Sequence, residues 1–230
     1  MGMFLRRGPA PHRTRMSDLE IGQMIKLNLN GTPWEWLVVH QGLPSSLYDA
    51  SCDGTWLLMK DIYENRARDS SGSSAYATST VNTYLNSPFL GLFDSDIQSA
   101  IKQVKIPYCI GGSSSTVNSG ASGLPAKIFL LGSYEVGWST SDSTDFPVDG
   151  AKLAYFTSGT GTSANNKRIA NFGGSAAIWW LRSSRVGYSE YARCVYSDGS
   201  YASRNPSVSI GIRPAIILPS DMLVTDDMLA

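Results

Sequence analysis

The chain has 230 residues, a formal net charge of zero and a hydrophobic fraction of 42%. These values indicate a folded globular protein, and a neutral chain has no global field that would draw it to nucleic acid or to an anionic membrane. No apolar run reaches the roughly 20 residues that span a bilayer, so we expect no membrane insertion.

The first fifteen residues, MGMFLRRGPAPHRTR, are basic and contain proline and glycine, and they lack the apolar stretch of a signal peptide. We interpret residues 1–16 as a disordered arm or a cloning remnant, with Met16 as a candidate natural start. A basic arm that binds nucleic acid is the alternative for this stretch. Residues 17–230 are then expected to form a single domain.

A β-hairpin is the first element that the sequence predicts. The apolar runs 24–29 and 33–39 are separated by Asn30-Gly31, and both of these residue types tolerate the positive φ of a tight turn. Residues 55–59 read as a further buried strand, after a loop over residues 41–54.

Two helices are expected next. Ser79 precedes an apolar pattern that continues to Leu85, and Pro88 is expected to end it. Ser95 with Gln98 forms a capping-box pattern, and residues 97–104 carry apolar side chains at the spacing of one buried helix face.

The remainder reads as long loops and short strands. Residues 111–125 form a loop by composition, and residues 151–156 suggest one or two helical turns. The further strands are expected at 127–131, 176–181, 192–196 and 212–218, with a hairpin turn at Asp198-Gly199. This order favours a single α+β domain of short antiparallel strands, two main helices and long loops.

The titratable residues offer little for catalysis or for metal binding. Only His12 and His40 are present, and His40 reads as structural, so Ser-His-Asp and Cys-His sites are disfavoured. Three widely spaced cysteines suit free thiols better than a disulfide framework, although a Cys52–Cys109 bridge is the alternative. Asp142, Asp145 and Asp149 are candidate Ca²⁺ ligands, but their spacing does not match an EF-hand, so we expect no cofactor and no metal.

Residues 183–210, which we call the tyrosine/serine segment, carry the strongest functional signal. They contain four Tyr, eight Ser and three Arg. Tyrosine gives stiff amphipathic contact area, serine and glycine adapt, and arginine anchors, as in antibody paratopes. We expect an exposed binding surface; the alternative is that the tyrosines are buried strand residues.

Apolar residues flank this segment. Trp179 and Trp180 precede it, and core packing is the default expectation for both, with Trp180 the candidate for an outward position. Arg182 and Arg213 are expected to brace loop carbonyls or carboxylates rather than to contact a ligand. We therefore assign these four residues to the scaffold.

The pattern W-W-L-R-S at residues 179–183, a Tyr/Ser-rich stretch with D-G inside it, and G-I-R-P-A at residues 211–215 resembles the variable region of diversity-generating retroelement target proteins. Upstream stretches, among them 34–39, 55–59 and 79–86, are similar to a bacterial and prophage domain often joined to that ending. The resemblance covers about residues 20–220.

This resemblance implies a C-type-lectin-like fold with an exposed variable surface. The family varies residues whose asparagine-type codons are miscopied, which yields Tyr, Ser, Arg or Gly but never Glu, so Glu190 departs from the pattern. Ser184 also departs, since relatives often have proline there. Carried over by position, the candidate variable residues are Arg185, Gly187, Tyr188, Tyr191, Arg193, Tyr196, Tyr201, Ser203, Arg204, Ser207 and Ser209.

The resemblance further implies a non-enzymatic ligand-binding protein on a phage tail tip or a bacterial cell surface. Its partner would be a host or cell-surface protein or glycan, with oligomerisation possible. One alternative is a structural virion protein whose segment makes fixed contacts. Another is an oxidase similar to formylglycine-generating enzymes, which use paired cysteines and a metal, but the three cysteines show no matching pair.

Overall fold

The computed structural model describes residues 14–229, and the arm expected at residues 1–13 lies outside this range. Within the described range the protein is mainly β, with sixteen strands in five sheets. The helices are α1 (Thr80–Tyr84), α2 (Ser95–Ala100) and α3 (Thr162–Asn166). The expectation of an α+β, C-type-lectin-like fold with two main helices is therefore wrong, because each helix is limited to five or six residues.

Two five-stranded sheets form the body of the protein. In spatial order, the first sheet contains β1 (Met24–Leu29), β2 (Thr32–Gln41), β3 (Thr55–Met59), β16 (Ala215–Leu218) and β9 (Ile128–Phe129). The second contains β14 (Tyr201–Arg204), β13 (Ala192–Val195), β12 (Trp179–Ser184), β15 (Ser209–Ile212) and β4 (Glu64–Ala67). All neighbouring strands are antiparallel except β12 and β15, which run parallel.

Three two-stranded ribbons complete the strand pairing. They are β5 (Val104–Ile106) with β8 (Leu124–Ala126), β6 (Tyr108–Cys109) with β7 (Val117–Asn118), and β10 (Asn171–Phe172) with β11 (Ser175–Ala176). Part of the loop expected over residues 111–125 is thus paired as strand.

The first hairpin follows the prediction. Asn30 has φ 50° and Gly31 has φ 74°, so both adopt the left-handed conformation that a two-residue turn requires. The turn places Leu29 opposite Thr32 and continues the register to Met24 opposite Leu37. Ile25, Leu27 and Leu29 are buried while the residues between them are half-buried, which is the period of a sheet with one covered face.

Two of the crossings between the two sheets lie at neighbouring places, and each joins consecutive strands. β3 in the first sheet is followed by β4 in the second, and β15 in the second sheet is followed by β16 in the first. β16 is buried along its whole length. The carboxyl end of the tyrosine/serine segment is thereby anchored in both sheets.

The helical segments differ in detail from the predictions. Ser79 caps α1 as expected, accepting the Asn82 N–H at 3.3 Å. Pro88 does not end the run, because a π-helical turn at Leu85–Phe89 continues through it. In an α-helix, proline removes the hydrogen bond between its own amide and the carbonyl four residues earlier. The i→i+5 hydrogen bonds of a π-helical turn do not use that pair of groups.

The second helix is shorter than predicted. The residue that caps α2 is Asp94 rather than Ser95, and the helix ends at Ala100. Val104 lies in β5 instead of on the helix face, although its side chain is buried as expected. Residues 151–156 contain no helix; α3 forms inside the adjacent polar stretch.

The amino-terminal end of the described range is part of the fold. Arg15 forms a bridge to Leu223, and Met16 is fully buried. Residues 15 and 16 thus belong to the folded domain and not to the arm. None of the helices within residues 14–229 is long and apolar enough to cross a membrane.

Candidate ligand-binding surface

The strand that precedes the tyrosine/serine segment is buried at every position. Trp179 and Trp180 are both fully buried in β12, so the outward position considered for Trp180 is wrong. The Trp179 indole N–H donates to the Arg168 carbonyl at 3.0 Å, and that of Trp180 donates to the Arg66 carbonyl at 3.1 Å. Each ring is therefore held by one hydrogen bond as well as by packing.

Arg182 is fully buried and organises the loops behind β12. Its guanidinium makes two hydrogen bonds of 2.6 Å to the Glu135 carboxylate. Its remaining N–H groups donate to the carbonyls of Pro107, Leu130 and Asp149 at 2.7–2.9 Å. Although burial opposes the charged form, Glu135 raises the pKa of Arg182. The expectation that Arg182 braces carbonyls and carboxylates is confirmed.

Ser183 and Asp149 extend this buried cluster. The Ser183 hydroxyl lies 2.8 and 2.9 Å from the two carboxylate oxygens of Asp149, and it accepts the Ser133 N–H at 2.8 Å. Burial raises the pKa of Asp149 to about 6, against the lowering effects of Arg182 and Ser183. Ser183, two residues before the first candidate variable residue, is thus hydrogen-bonded to the loop at residues 132–150.

Arg213 ties the two sheet crossings together. Its side chain donates to the carbonyls of Met59 and Lys60, both at 2.8 Å, at the point where β3 ends. Burial lowers the pKa of Arg213 to about 10. Arg213 therefore braces backbone carbonyls, as expected, and does not reach the surface.

The tyrosines of the segment are exposed. The exposed fractions are 46% for Tyr188, 40% for Tyr191, 42% for Tyr196 and 37% for Tyr201. The strands β12 and β13 are buried at every position, whereas β14, which begins with Tyr201, is exposed or half-buried. The prediction that these rings project from a buried frame is confirmed, and the alternative of buried strand tyrosines is excluded.

These tyrosines do not all lie on one face of the sheet. Directly paired residues on neighbouring strands point to the same side of a sheet, and successive residues alternate. Arg193 pairs with Ser203 and Val195 with Tyr201, which places these four on one face. Ala192 pairs with Arg204 on the other face.

The face that carries Arg204 also carries Tyr196. The Arg204 guanidinium lies 5.5 Å from the centroid of the Tyr196 ring, within the range of a cation–π contact. Arg204 is itself half-buried, whereas Tyr196 is exposed. Tyr196 and Arg204 thus form the smaller of two exposed aromatic sites in the segment.

The larger site is assembled around Asp145, which sequence reasoning considered only as a calcium ligand. Its carboxylate lies 2.6 Å from Arg185 Nε and 2.7 Å from Arg193 Nη2; the Arg193 N–H does not point along a hydrogen bond. Partial burial opposes the charged form, yet the bonds from Ser143 and Arg185 and the charge of Arg193 hold the pKa of Asp145 well below its usual range.

Arg193 is turned inward. Only 3% of it is exposed, its guanidinium stacks 4.3 Å from the Phe146 ring centroid, and its Nη1 donates to Ser203 at 3.1 Å. Tyr201 packs edge-on against Phe146 and Trp138. Arg193, Tyr201 and Ser203 thus contribute to packing as well as to the surface, which the composition of the segment did not indicate.

Tyr188 and Tyr191 form the outermost part of the larger site. Their ring centroids are 6.3 Å apart, and the Arg185 guanidinium lies 3.7 Å above the Tyr188 ring. A shallow depression of about 210 Å³ lies here, lined by Gly187, Tyr188, Ser189, Glu190 and Tyr191. It offers aromatic, hydroxyl and carboxylate groups around an open centre.

Three further candidate positions, Gly187, Ser207 and Ser209, are exposed. Gly187 has φ 82° and is exposed, with open space around the position of a Cβ. Ser207 is exposed and bonds to Asn205 within its turn. Ser209 is exposed at the start of β15, opposite Ala67.

The residues considered for other chemistry are engaged elsewhere. The His40 Nδ1 accepts the Ala154 N–H at 3.1 Å, and partial burial lowers the pKa of His40. The three cysteines are free and buried, so Cys52 and Cys109 form no bridge; burial raises the pKa of Cys52 to about 11. No group of three or more His, Cys, Asp or Glu side chains in residues 14–229 could hold a metal ion.

A protein-family model matches residues 53–220, which include both five-stranded sheets except for β1 and β2. The family is described only as a domain of unknown function, DUF6273. Neither a curated protein nor a solved structure matches the chain. Because the match covers well over half of the sequence, the chain belongs to the DUF6273 family.

Proposed function

We propose that this protein is a variable ligand-binding protein of the diversity-generating retroelement type. The tyrosine/serine segment would recognise a receptor on a host or neighbouring cell, from a phage tail tip or a bacterial surface. The partner would be a surface protein or a glycan, and affinity would come from tyrosine anchors without a cofactor.

The observation that carries the proposal is the contrast between the exposed tyrosines and the frame below them. Tyr188, Tyr191 and Tyr196 are at least 40% exposed. The strands β12 and β13, which flank the loop of Tyr188 and Tyr191, are buried at every position, and Tyr196 directly follows β13. Exposed positions away from caps and packing change stability by about 0.5 kcal/mol or less when substituted. Such positions can therefore vary while the fold persists.

The geometry divides the candidate variable residues into two groups. Exchange is tolerated best at Tyr188, Tyr191, Tyr196, Ser207 and Ser209, which are exposed. Arg193, Tyr201 and Ser203 contact one another or the loop at residues 138–146, so they are expected to vary less. This ordering is a sharper form of the proposal than the residue list taken from the resemblance.

Sequences of sibling isolates test the proposal genetically. We expect substitutions concentrated in residues 185–209 and most frequent at Tyr188, Tyr191, Tyr196, Ser207 and Ser209. A reverse transcriptase gene beside a near-copy of the coding region for 179–217 should accompany them, with adenines at the differing sites. An invariant segment without such a neighbour would instead favour a structural virion protein.

Binding to intact cells tests the recognition step. The fluorescently labelled full chain is incubated with a panel of bacterial isolates, together with a Tyr188→Ala/Tyr191→Ala variant. Phe172→Ala is the matched control, because Phe172 is an aromatic residue of similar exposure outside the segment. The proposal expects binding to some isolates, at least a tenfold loss in the double variant and no loss in the control.

A further inference from the structure

A second depression lies beside the first hairpin, on residues that the proposed function does not use. Its volume is about 360 Å³, and it is lined by Lys26, Pro33, Trp34, Glu35, Lys60 and Asp61. Small-molecule sites in proteins have volumes of roughly 300–1,000 Å³. The depression is therefore large enough for one ring-sized ligand.

The charged residues that line the depression lie on hydrogen-bonded backbone segments. Lys26 on β1 pairs with Glu35 on β2, and the Lys60 N–H donates to the Glu35 carbonyl at 2.9 Å. Asp61 accepts the Asn171 N–H at 2.8 Å through Oδ1. The four charged side chains thus project from neighbouring backbone segments whose positions are set by the sheet and by the ribbon beside it.

Trp34 supplies an aromatic wall. Its ring centroid lies 5.1 Å from that of Tyr63, which supports it from one side. The buried indoles of Trp179 and Trp180 donate to backbone carbonyls. Trp34 is only half-buried, and within residues 14–229 its indole N–H has no protein acceptor. A flat apolar surface and a free donor are therefore available in the depression.

The charges in the depression cancel. Lys26 and Lys60 are balanced by Glu35 and Asp61, and Lys60 Nζ lies 2.6 Å from Glu35 Oε2. Glu35 Oε1 and Asp61 Oδ2 remain as acceptors, and the two ammonium groups have N–H groups to spare. A ligand with a net charge would meet a like charge on one side, whereas a neutral ligand with several hydroxyls can use both signs.

We propose that this depression binds a neutral hexopyranose unit of a saccharide. The C–H face of the sugar packs against Trp34, with Pro33 at the edge. Its hydroxyls donate to the carboxylates of Glu35 and Asp61 and accept from Lys60. The site shares no residue with the tyrosine/serine segment, so saccharide binding here does not depend on the proposed function.

Indole NMR of the full chain tests this assignment. The protein has six tryptophans and therefore six indole N–H signals in a ¹⁵N-labelled sample; the signal missing from Trp34→Phe is that of Trp34. The neutral probes are maltotetraose, cellotetraose, chitotetraose and galactobiose, each to 20 mM. We expect at least one probe to shift the Trp34 signal saturably, while the indole signals of Trp179 and Trp180 stay in place.

Variants give the quantitative arm. Trp34→Phe is expected to weaken binding of the responding probe about tenfold, as the loss of stacking area predicts. Glu35→Gln should weaken it about threefold. Tyr191→Ala, in the tyrosine/serine segment, should leave the Kd unchanged. Isothermal titration calorimetry measures the Kd of every variant, because Trp34→Phe lacks the reporting indole signal.

Several outcomes would overturn the assignment. One is that no neutral probe shifts the Trp34 signal by 20 mM. Another is that choline, inorganic phosphate or glucuronate shifts it at lower concentration than every neutral probe. A Kd that is unchanged in both Trp34→Phe and Glu35→Gln, or lost in Tyr191→Ala, also contradicts it. If Trp34→Phe loses the other indole signals through unfolding, Glu35→Gln decides alone.

Discussion

Arg193 Nη2 and Asp145 Oδ1 lie 2.7 Å apart, and this ion pair joins the tyrosine/serine segment to the loop packed beneath it. Arg185 holds the other carboxylate oxygen at 2.6 Å. One carboxylate therefore pairs with two of the three arginines in the segment. The exposed surface that remains is dominated by tyrosine and serine rather than by positive charge.

The inward position of Arg193 predicts that it matters for stability more than its neighbour does. Arg193→Ala leaves Asp145 with one partner and empties a buried site, so we expect a loss of about 2–4 kcal/mol in the free energy of unfolding. Arg185→Ala removes a more exposed partner and should lose about 1 kcal/mol or less. Urea denaturation of both variants measures the difference, and equal losses would contradict the inward assignment.

The exposed tyrosines should be nearly neutral for stability. Changing Tyr188, Tyr191 and Tyr196 together to alanine is expected to lower the Tm by less than about 3 °C, because the rings contribute mainly to the surface. Tyr201→Ala alone should lower it by as much or more, because that ring packs on Trp138 and Phe146. Differential scanning calorimetry checks this, and a fall of 6 °C or more in the triple variant would show that the rings are core.

Two glycines have similar backbone conformations but differ in the space around them. Gly199 has φ 79°, and a Cβ there would clash with the Asn165 carbonyl oxygen. Gly187 has φ 82° and open space around the same position. Gly187→Ala should lose only the backbone term of about 1 kcal/mol, whereas Gly199→Ala should lose at least about 2 kcal/mol more. Thermal unfolding of the pair gives the comparison, and equal losses would argue against the close contact.

Asp149 predicts a pH dependence. Its folded-state pKa of about 6 lies above the ordinary value of 3.8, so the folded state binds its proton more tightly than the unfolded state does. The stabilising effect is fully present below pH 3.8 and is lost as the pH rises through 6. Between pH 5 and pH 7 this loss should amount to about 1 kcal/mol.

Asp149→Asn should remove that part of the pH dependence, because asparagine keeps the size and the acceptor for Ser183 but does not titrate. Asp227→Asn is the control, since Asp227 is an exposed carboxylate far along the chain. Chemical denaturation at pH 5 and pH 7 measures the slope. The same slope in Asp149→Asn and in the unmodified protein would show that Asp149 does not titrate in this range.

Local signals predicted the short-range structure well. Asn30-Gly31 and Asp198-Gly199 form the turns expected of them, and Ser79 caps its helix. These features depend on the conformations open to one or two residues, so the sequence carries them directly. The burial of Arg182 and Arg213 was also predictable, because each follows an apolar strand and offers donors that suit backbone carbonyls.

Features that depend on distant partners were not predictable. The helical pattern at residues 95–104 became a short helix followed by a strand, because β5 pairs with β8 twenty residues further on. Arg193 turned inward because Asp145 and Phe146 lie beneath it. In the sequence it looked like any other arginine of an exposed surface.

The parallel pairing of Trp179 with Gly211 brings the two borders of the tyrosine/serine segment side by side. Between these borders, β13 is buried at all four positions and belongs to the same sheet, so only the loops that join its strands can be exchanged without loss of core packing. Grafted loops of other lengths should therefore be accepted between β12 and β13, provided that each keeps an arginine that reaches Asp145.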